Sequence, residues 1–253
     1  MHTIAVAGKG GVGKTTISGM LVDYLCGKGT GPVLVVDADA NANLNEVLGV
    51  PADITLGTIR EEMAHAEMKG TIPAGMTKAD YAEFKFNSAL IEEDDFDMLI
   101  MGRTQGKGCY CYVNGVLKTL VDKYAKNYSY IVMDNEAGLE HVARGTLPHV
   151  DTMLLISDCS RRGIQAAARV AETIEEMELK PGRLGLIVNR APEGKLDAGI
   201  LEEIEKHGLT LFGVLPQDDS VYRCDCDGAP SAKLPEENPV KVALRAILKE
   251  LNL

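Results

Sequence analysis

The chain has 253 residues, of which 26 are basic and 37 acidic, so its formal net charge at pH 7 is −11. The length suits a single α/β domain over residues 1–253, and the negative charge disfavours binding to nucleic acid or to an anionic membrane. No apolar stretch reaches the roughly 18 residues of a spanning helix, and no signal peptide precedes the first apolar run. We therefore expect a cytoplasmic protein whose six cysteines stay reduced.

The first 25 residues predict a strand, a glycine-rich loop and a helix. Residues 3–7 form a short apolar run, residues 8–16 read Gly-Lys-Gly-Gly-Val-Gly-Lys-Thr-Thr, and residues 16–25 have helical spacing. In this context the motif predicts a phosphate-binding loop, with Lys14 on the β- and γ-phosphates and the Thr15 hydroxyl on Mg²⁺. The nucleotide contacts expected in this loop are those of Gly10, Gly11, Val12, Gly13, Lys14, Thr15 and Thr16.

Lys9 is a second lysine, at the start of the loop, where its own chain offers no further phosphate. The run from Lys9 to Thr16 resembles the deviant Walker A ATPases, the group of MinD, ParA, the arsenite-pump ATPase and nitrogenase iron protein. The resemblance implies a P-loop NTPase fold, a doubly wound and mostly parallel α/β sheet flanked by helices. It also implies a homodimer closed by ATP, in which Lys9 reaches the partner's nucleotide. A solvated loop lysine is the alternative.

Two carboxylates follow the second predicted strand. Residues 33–36 are a continuous apolar run, typical of a strand buried on both faces, and Asp37 and Asp39 come at its carboxyl end. This segment is similar to switch I of the same ATPases. We expect Asp37 to hold the Mg²⁺ shell and Asp39 to orient or deprotonate the attacking water. A polar cap on a helix is the alternative for Asp39.

A less regular segment and a cysteine pair come next. Residues 52–96 carry interrupted amphipathic pieces and predict a helical insertion before the next core strand. Cys109 and Cys111 can direct two thiolates to one soft or borderline metal ion, which is half of a four-ligand site. A two-fold dimer would supply the other half. Buried structural cysteines or a redox pair are the alternatives.

Residues 130–133 predict another buried strand, and Asp134 and Gly138 after it fit a Walker B and switch II pattern. In that pattern the aspartate holds Mg²⁺ through water and the glycine N–H meets the γ-phosphate. Residues 138–146 read Gly-Leu-Glu-His-Val-Ala-Arg-Gly-Thr. Together with the Cys-x-Cys pair they resemble the CooC-type nickel-maturation ATPases of carbon monoxide dehydrogenase and the related acetyl-CoA synthase maturation factor. His141 stays open between a metal ligand and a surface or capping histidine.

The last third of the chain carries the predicted base site. Residues 184–190 predict a strand ending at the position where the relatives hydrogen-bond adenine, and residues 211–218 resemble the loop that closes over the base. The base contacts implied by this resemblance are those of Asn189, Arg190, Pro216, Gln217 and Asp218.

Two further features lie near the end of the chain. Cys224 and Cys226 form a second pair outside the family outline, either an accessory metal or redox site or ordinary loop cysteines. The final helix, about residues 239–251, is expected to pack on the sheet rather than on a membrane.

The resemblance as a whole implies a homodimeric ATPase that couples ATP hydrolysis to nickel delivery. Its ligands would be ATP or ADP, Mg²⁺ and Ni²⁺, with Zn²⁺ able to take the nickel site. The client would be apo carbon monoxide dehydrogenase or acetyl-CoA synthase, and the dimer would be stabilised by ATP, metal or both. Catalysis would fall to Lys9, Lys14 and Asp39. The alternatives are a MinD- or ParA-like positioning ATPase and an iron–sulfur scaffold or reductase.

Overall fold

The computed structural model describes residues 1–103, 110–136, 147 and 149–253, and for residues 110–112 it describes the backbone alone. Within these ranges eight strands form one sheet. The strands are β1 His2–Gly8, β2 Val33–Ala38, β3 Ile91–Glu92, β4 Phe96–Ile100, β5 Tyr130–Asn135, β6 Thr152–Asp158, β7 Arg183–Ala191 and β8 Leu211–Pro216.

Helices connect most of these strands. The α-helices of the described ranges are α1 Lys14–Gly27, α2 Leu44–Leu48, α3 Leu56–Lys69, α4 Lys78–Asn87, α5 Tyr110–Tyr124, α6 Arg161–Glu176, α7 Ala198–Lys206, α8 Asp219–Asp227 and α9 Pro239–Glu250. Three short 3₁₀ turns add to them, at Ala125–Asn127, Pro192–Gly194 and Ser231–Lys233.

The strand order across the sheet is β3-β4-β2-β5-β1-β6-β7-β8. All neighbours pair in parallel except β3, which is antiparallel to β4. Helices lie on both faces: α1, α2 and α9 pack on one face, and α3 to α7 pack on the other. The expectation of a doubly wound, mostly parallel sheet flanked by helices is confirmed.

The core follows from the two-residue period of the strands, because successive side chains point to opposite faces. In β1, Ala5 and Ala7 belong to the core under α3 to α7, whereas Ile4 and Val6 belong to the core under α1, α2 and α9. The apolar run of β2 divides in the same way. A strand in the middle of this sheet must be apolar at every position, which explains its unbroken hydrophobic sequence.

The segment for which the sequence predicts a helical insertion contains α3, α4 and β3. Thr55 is the N-cap of α3 and Thr77 is the N-cap of α4, each with a reciprocal capping box to the residue three positions on. Gly70 ends α3 in a left-handed conformation, with φ of 64°. These local signals explain why the two helices start and stop where they do. In the part of the chain that the structure describes, no helix has both the length and the apolar character needed to cross a bilayer.

One buried carboxylate joins α6 to α7. Glu203 is only 5% exposed, and it accepts hydrogen bonds from Arg161 Nε at 3.0 Å and Gln165 Nε2 at 2.7 Å. His207 Nε2 lies 3.2 Å from the same carboxylate. The Gln165 bond, followed by His207 and Arg161, lowers the pKa of Glu203 from 4.5 to about 2.

We expect Glu203→Gln to lower the thermal midpoint at pH 7, with the deficit shrinking as the pH falls below about 5 toward 2. A depressed carboxylate pKa stabilises the fold above the unfolded-state pKa, and this stabilisation is lost as the native carboxylate becomes protonated. Circular dichroism melts over that pH range measure the difference. Glu202→Gln, an exposed neighbour, is the control and should leave the midpoint unchanged. If the deficit in thermal midpoint stayed constant down to pH 2, this result would contradict the lowered pKa of Glu203.

Candidate functional site

Within the described part of the chain, the predicted phosphate, switch and base residues converge on one edge of the sheet. Parallel strands bring their carboxyl ends to the same edge, and this is where open α/β sheets bind ligands. Asp134 of β5 lies level with Asp37 of β2 on one side and with Val6 of β1 on the other. The glycine-rich loop leaves β1 after Gly8, two residues beyond Val6. The sheet register therefore places both carboxylates beside this loop.

The loop between β1 and α1 depends on glycine at defined positions. A Cβ on Gly8, whose φ is +148°, would lie 2.3 Å from the Ile156 carbonyl oxygen. Gly13 precedes α1 with φ of 91°, in the region that side chains rarely adopt. Gly11, with φ of +79°, has open space where a Cβ would point. The loop is thus packed closely against the sheet and open on its outer side, as a backbone cradle for phosphates requires.

The two lysines of the loop differ in exposure. Lys14 is 7% exposed and donates from Nζ to the Lys9 carbonyl oxygen at 3.2 Å, whereas the Lys9 side chain is exposed. Burial lowers the pKa of Lys14, and the negative charges of Asp134, Asp39 and Glu136 oppose that shift. Lys14 therefore lies among carboxylates inside the site, and Lys9 faces outward.

Asp37 and Asp134 form a buried acidic pair. They are 0% and 1% exposed, and burial raises the pKa of Asp37 to about 7, with the nearby charge of Asp134 adding to the shift. Burial also raises the pKa of Asp134 to about 6, although hydrogen bonds from Thr15 and Ser18 and the charge of Lys14 hold it down. The Ser18 bond measures 2.9 Å from Oγ to Oδ1. Two buried carboxylates of this kind favour an additional positive charge.

The donor set fits Mg²⁺, which prefers hydroxyl, carboxylate and water oxygens. Thr15, Asp37 and Asp134 supply such oxygens beside the open loop, and these residues would hold the ion together with phosphate oxygens. When bound, Mg²⁺ would neutralise charge on the β- and γ-phosphates.

The segment after β2 is held by its own carboxylates. Asp37 accepts from the Asp39 N–H at 3.0 Å and from the Leu44 N–H, the first residue of α2, at 3.1 Å. Asp39 Oδ1 accepts from both the backbone N and the side-chain Nδ2 of Asn41, at 2.8 and 3.0 Å. Asn41 in turn accepts a hydrogen bond from Arg103. Asp37, rather than Asp39, therefore accepts the first N–H of α2, and Asp39 forms a local turn with Asn41 that orients its carboxylate.

A cavity of about 490 Å³ opens beside α1 and between the ends of β7 and β8. This volume is within the usual range of small-molecule sites. The structure brings together six of the predicted nucleotide residues in its lining: Thr16, Asn189, Arg190, Pro216, Gln217 and Asp218. The sequence reasoning missed Tyr222 and Asp225, which reach the cavity from α8. Their contribution depends on where α8 folds back, and no local signal reveals that.

Asp218 has a second role within this wall. Its Oδ1 accepts from the backbone N–H groups of Ser220 at 2.9 Å and Val221 at 3.2 Å, and from Asn238 Nδ2 at 3.1 Å. The Ser220 hydroxyl donates to the same oxygen, and these bonds lower the pKa of Asp218. Asp218 therefore caps α8 and ties it to the start of α9 while it lines the cavity.

Several of the predicted metal and nucleotide residues are outside the described part of the chain. Cys109, Gly138 and His141 lie outside it, and for Cys111 only the backbone, in the first turn of α5, is described. Among the residues whose side chains are described, no cluster of three or more His, Cys, Asp or Glu is arranged to hold a metal ion. The Cys-x-Cys site stays a prediction.

Cys224 and Cys226 are not loop cysteines, because both lie in α8. Positions i and i+2 of a helix point in widely different directions, so these two thiols cannot bind one ion together. Cys26 also makes a poor metal ligand, since burial raises the pKa of its thiol to about 12. The accessory metal site considered for the second cysteine pair is not supported.

Comparison with known proteins gives a consistent result. The family described as the CobQ/CobB/MinD/ParA nucleotide binding domain matches residues 3–231. An uncharacterized ATP-binding protein of Methanocaldococcus jannaschii is 41% identical over 248 residues, covering 98% of this chain and 97% of the relative. The carbon monoxide dehydrogenase accessory protein CooC of Rhodospirillum rubrum is 31% identical over 238 residues, covering 89% and 87%. The septum site-determining protein MinD of Pyrococcus horikoshii, complexed with Mg-ADP, has a TM-score of 0.71 at 22% identity and covers 99% of this chain and 96% of that chain.

Proposed function

Because this chain belongs to the CobQ/CobB/MinD/ParA family of nucleotide-binding domains, we propose that it is an ATP-dependent, homodimerising nickel metallochaperone. It is an ATPase of the MinD/ParA type. In our proposal Cys109 and Cys111 of two subunits bind one Ni²⁺, and the dimer assists its insertion into carbon monoxide dehydrogenase or acetyl-CoA synthase. The name of the relative that is 31% identical supports this client.

The observation that carries the ATPase part is the buried group of Lys14, Asp37 and Asp134 beside an open glycine loop. A water attacks the γ-phosphorus, and the bond to the β-phosphate oxygen breaks to give ADP and phosphate. Lys14 stabilises negative charge on the phosphates, and Asp39 orients the water and accepts its proton. Asn41 holds the Asp39 carboxylate for that role.

A chain of contacts supports coupling between nucleotide and nickel. Asp39 is bonded to Asn41, and Asn41 is bonded to Arg103. Arg103 follows β4 in the chain and precedes the segment that contains Cys109. ATP can change the nickel affinity only if the two states of the protein bind ATP differently. The Asn41–Arg103 contact gives the switch residues a direct connection to the start of the cysteine segment.

A MinD- or ParA-like positioning ATPase is the second candidate, since a MinD of Bacillus subtilis is 25% identical over 256 residues. The C-terminal helix argues against membrane attachment. Its apolar residues Val240, Leu244, Ile247 and Leu248 are buried in the core under α1 and α2. That apolar face is therefore used within the fold.

We expect one Ni²⁺ per dimer in equilibrium titrations of the full chain, with weaker binding when ATP is present. Cys109→Ser/Cys111→Ser should weaken Ni²⁺ binding by at least about tenfold, because hydroxyls replace the thiolates that soft and borderline metals prefer. Cys224→Ser/Cys226→Ser is the matched control and should bind Ni²⁺ like the wild type.

Two results would contradict the nickel assignment. Unchanged binding in the Cys109/Cys111 variant would remove this pair from the mechanism. No Ni²⁺ binding by the wild type would leave a dimerising ATPase of the second kind, provided that ATP binding is intact.

A further inference from the structure

The end of β7 is bonded to the phosphate-binding loop. Asn189 is 6% exposed, and its side-chain Nδ2 donates to the Val12 carbonyl oxygen at 2.9 Å. Its Oδ1 accepts from the Arg190 N–H at 2.9 Å. Both polar groups of this amide are therefore used inside the protein, one on the loop and one on its own strand.

Gly13 shows how closely the loop and this amide are packed. A Cβ on Gly13 would lie 2.5 Å from Asn189 Nδ2, a separation that real Cβ atoms do not reach. Two features therefore favour glycine at position 13. Its φ is +91°, and a Cβ there would enter the space that the Asn189 amide occupies.

Arg190 makes the second connection from an unusual backbone. Its φ is +58°, in the left-handed region that residues with a side chain adopt uncommonly. From there its guanidinium Nη1 donates to the Gly11 carbonyl oxygen at 3.0 Å. Backbone strain at functional sites commonly serves to direct a side chain.

We propose that Asn189 and Arg190 are positioning residues for the phosphate-binding loop, in addition to lining the base cavity. A trans peptide unit is planar, with its C=O and N–H pointing in opposite directions. Bonds that hold the Gly11 and Val12 carbonyls toward β7 therefore turn the N–H groups of Val12 and Gly13 the other way, toward the open side of the loop. This pre-arranges donors for phosphate oxygens and reduces the ordering cost on binding.

The proposal rests on the nucleotide-binding part of the proposed function and not on nickel. It differs from base recognition in one consequence. If the two side chains contact only the base, they cannot affect a ligand that has no base. If they position the loop, their loss must weaken the binding of every ligand that carries the phosphates.

The test uses the full chain and inorganic tripolyphosphate with Mg²⁺ as a ligand without a base, in competition with ATP. We expect Asn189→Ala to weaken tripolyphosphate binding by about tenfold, because the Val12 carbonyl loses its buried partner. Arg190→Gly should weaken it by a smaller factor. The glycine accepts the left-handed backbone, so this variant removes the guanidinium without adding strain. Arg190→Gly also tests whether the loop is positioned by these side chains if Asn189→Ala fails to fold.

Gln217→Ala is the matched control. Gln217 lines the cavity, and its backbone N–H bonds to the Ala191 carbonyl oxygen, which the substitution keeps. Gln217→Ala should weaken ATP binding and leave tripolyphosphate binding unchanged. Wild-type tripolyphosphate affinity in both the Asn189 and the Arg190 variants would overturn the proposal. So would a wild type that binds ATP but not tripolyphosphate, since a pre-arranged loop must bind phosphates alone. ATP binding by the wild type in the same titration tests the premise separately.

Discussion

Lys14→Ala should lower ATP turnover by on the order of a thousandfold, as expected when a preorganised group that stabilises phosphate charge is removed. Lys14 is buried near Asp134, Asp39 and Glu136, so its ammonium places a positive charge inside this acidic site. Its loss removes the stabilisation of the transferring phosphoryl group. It also leaves the Asp37 and Asp134 carboxylates next to each other with less compensation.

Phosphate release under saturating Mg-ATP measures this effect. Lys206→Ala removes an exposed lysine at the end of α7 and should keep wild-type turnover. A melt by circular dichroism shows whether the Lys14 variant is folded. Turnover within about tenfold of the wild type, in a folded Lys14→Ala protein, would show that another group performs the role assigned to Lys14.

Lys9→Ala should also lower turnover, by about a thousandfold if Lys9 acts as a finger in the partner's site. The side chain is exposed while the Lys9 carbonyl is bonded to Lys14. The hydrogen bond holds the Lys9 backbone in the loop, while the Lys9 ammonium faces away from its own subunit. If Lys9 is only a solvated loop lysine, Lys9→Ala should keep wild-type turnover.

A mixture of two inactive variants separates action across the dimer from action within one subunit. In a dimer of Lys9→Ala with Asp39→Ala, the site on the Lys9→Ala subunit keeps its own Asp39 and receives Lys9 from the partner. Random mixing should then restore about a quarter of wild-type turnover, since half of the dimers have one complete site. Each variant alone, at the same total protein concentration, is the baseline. Failure of the mixture to exceed the sum of its parts would place Lys9 in its own subunit's chemistry.

The fold class was predictable because its signals are local. A run such as residues 33–36, apolar at every position, is typical of a strand covered on both sides, and β2 has that environment. The glycine-rich run between an apolar segment and a helical pattern likewise predicts the loop between β1 and α1. These features depend on neighbours in the chain, which the sequence shows directly.

Part of the candidate site was predictable for the same reason. Asp37, Asp134 and Asn189 each follow an apolar run, and parallel strands bring such ends to one edge. The prediction could therefore group them without knowledge of the strand order. It could not assign their partners, because Asp37 bonds to the first residue of α2 and Asn189 bonds to Val12.

The sequence alone thus determined the kinds of elements, the positions of the polar residues at strand ends and the family motif. Tertiary structure alone decided three things: that Asn189 and Arg190 contact the loop, that Tyr222 and Asp225 line the cavity beside α1, and that Cys224 and Cys226 point apart on α8. The physical reason is the range of the interactions. Periodicity, capping and glycine requirements act over a few residues, whereas the order of the strands and the contacts between their ends depend on how the whole sheet packs.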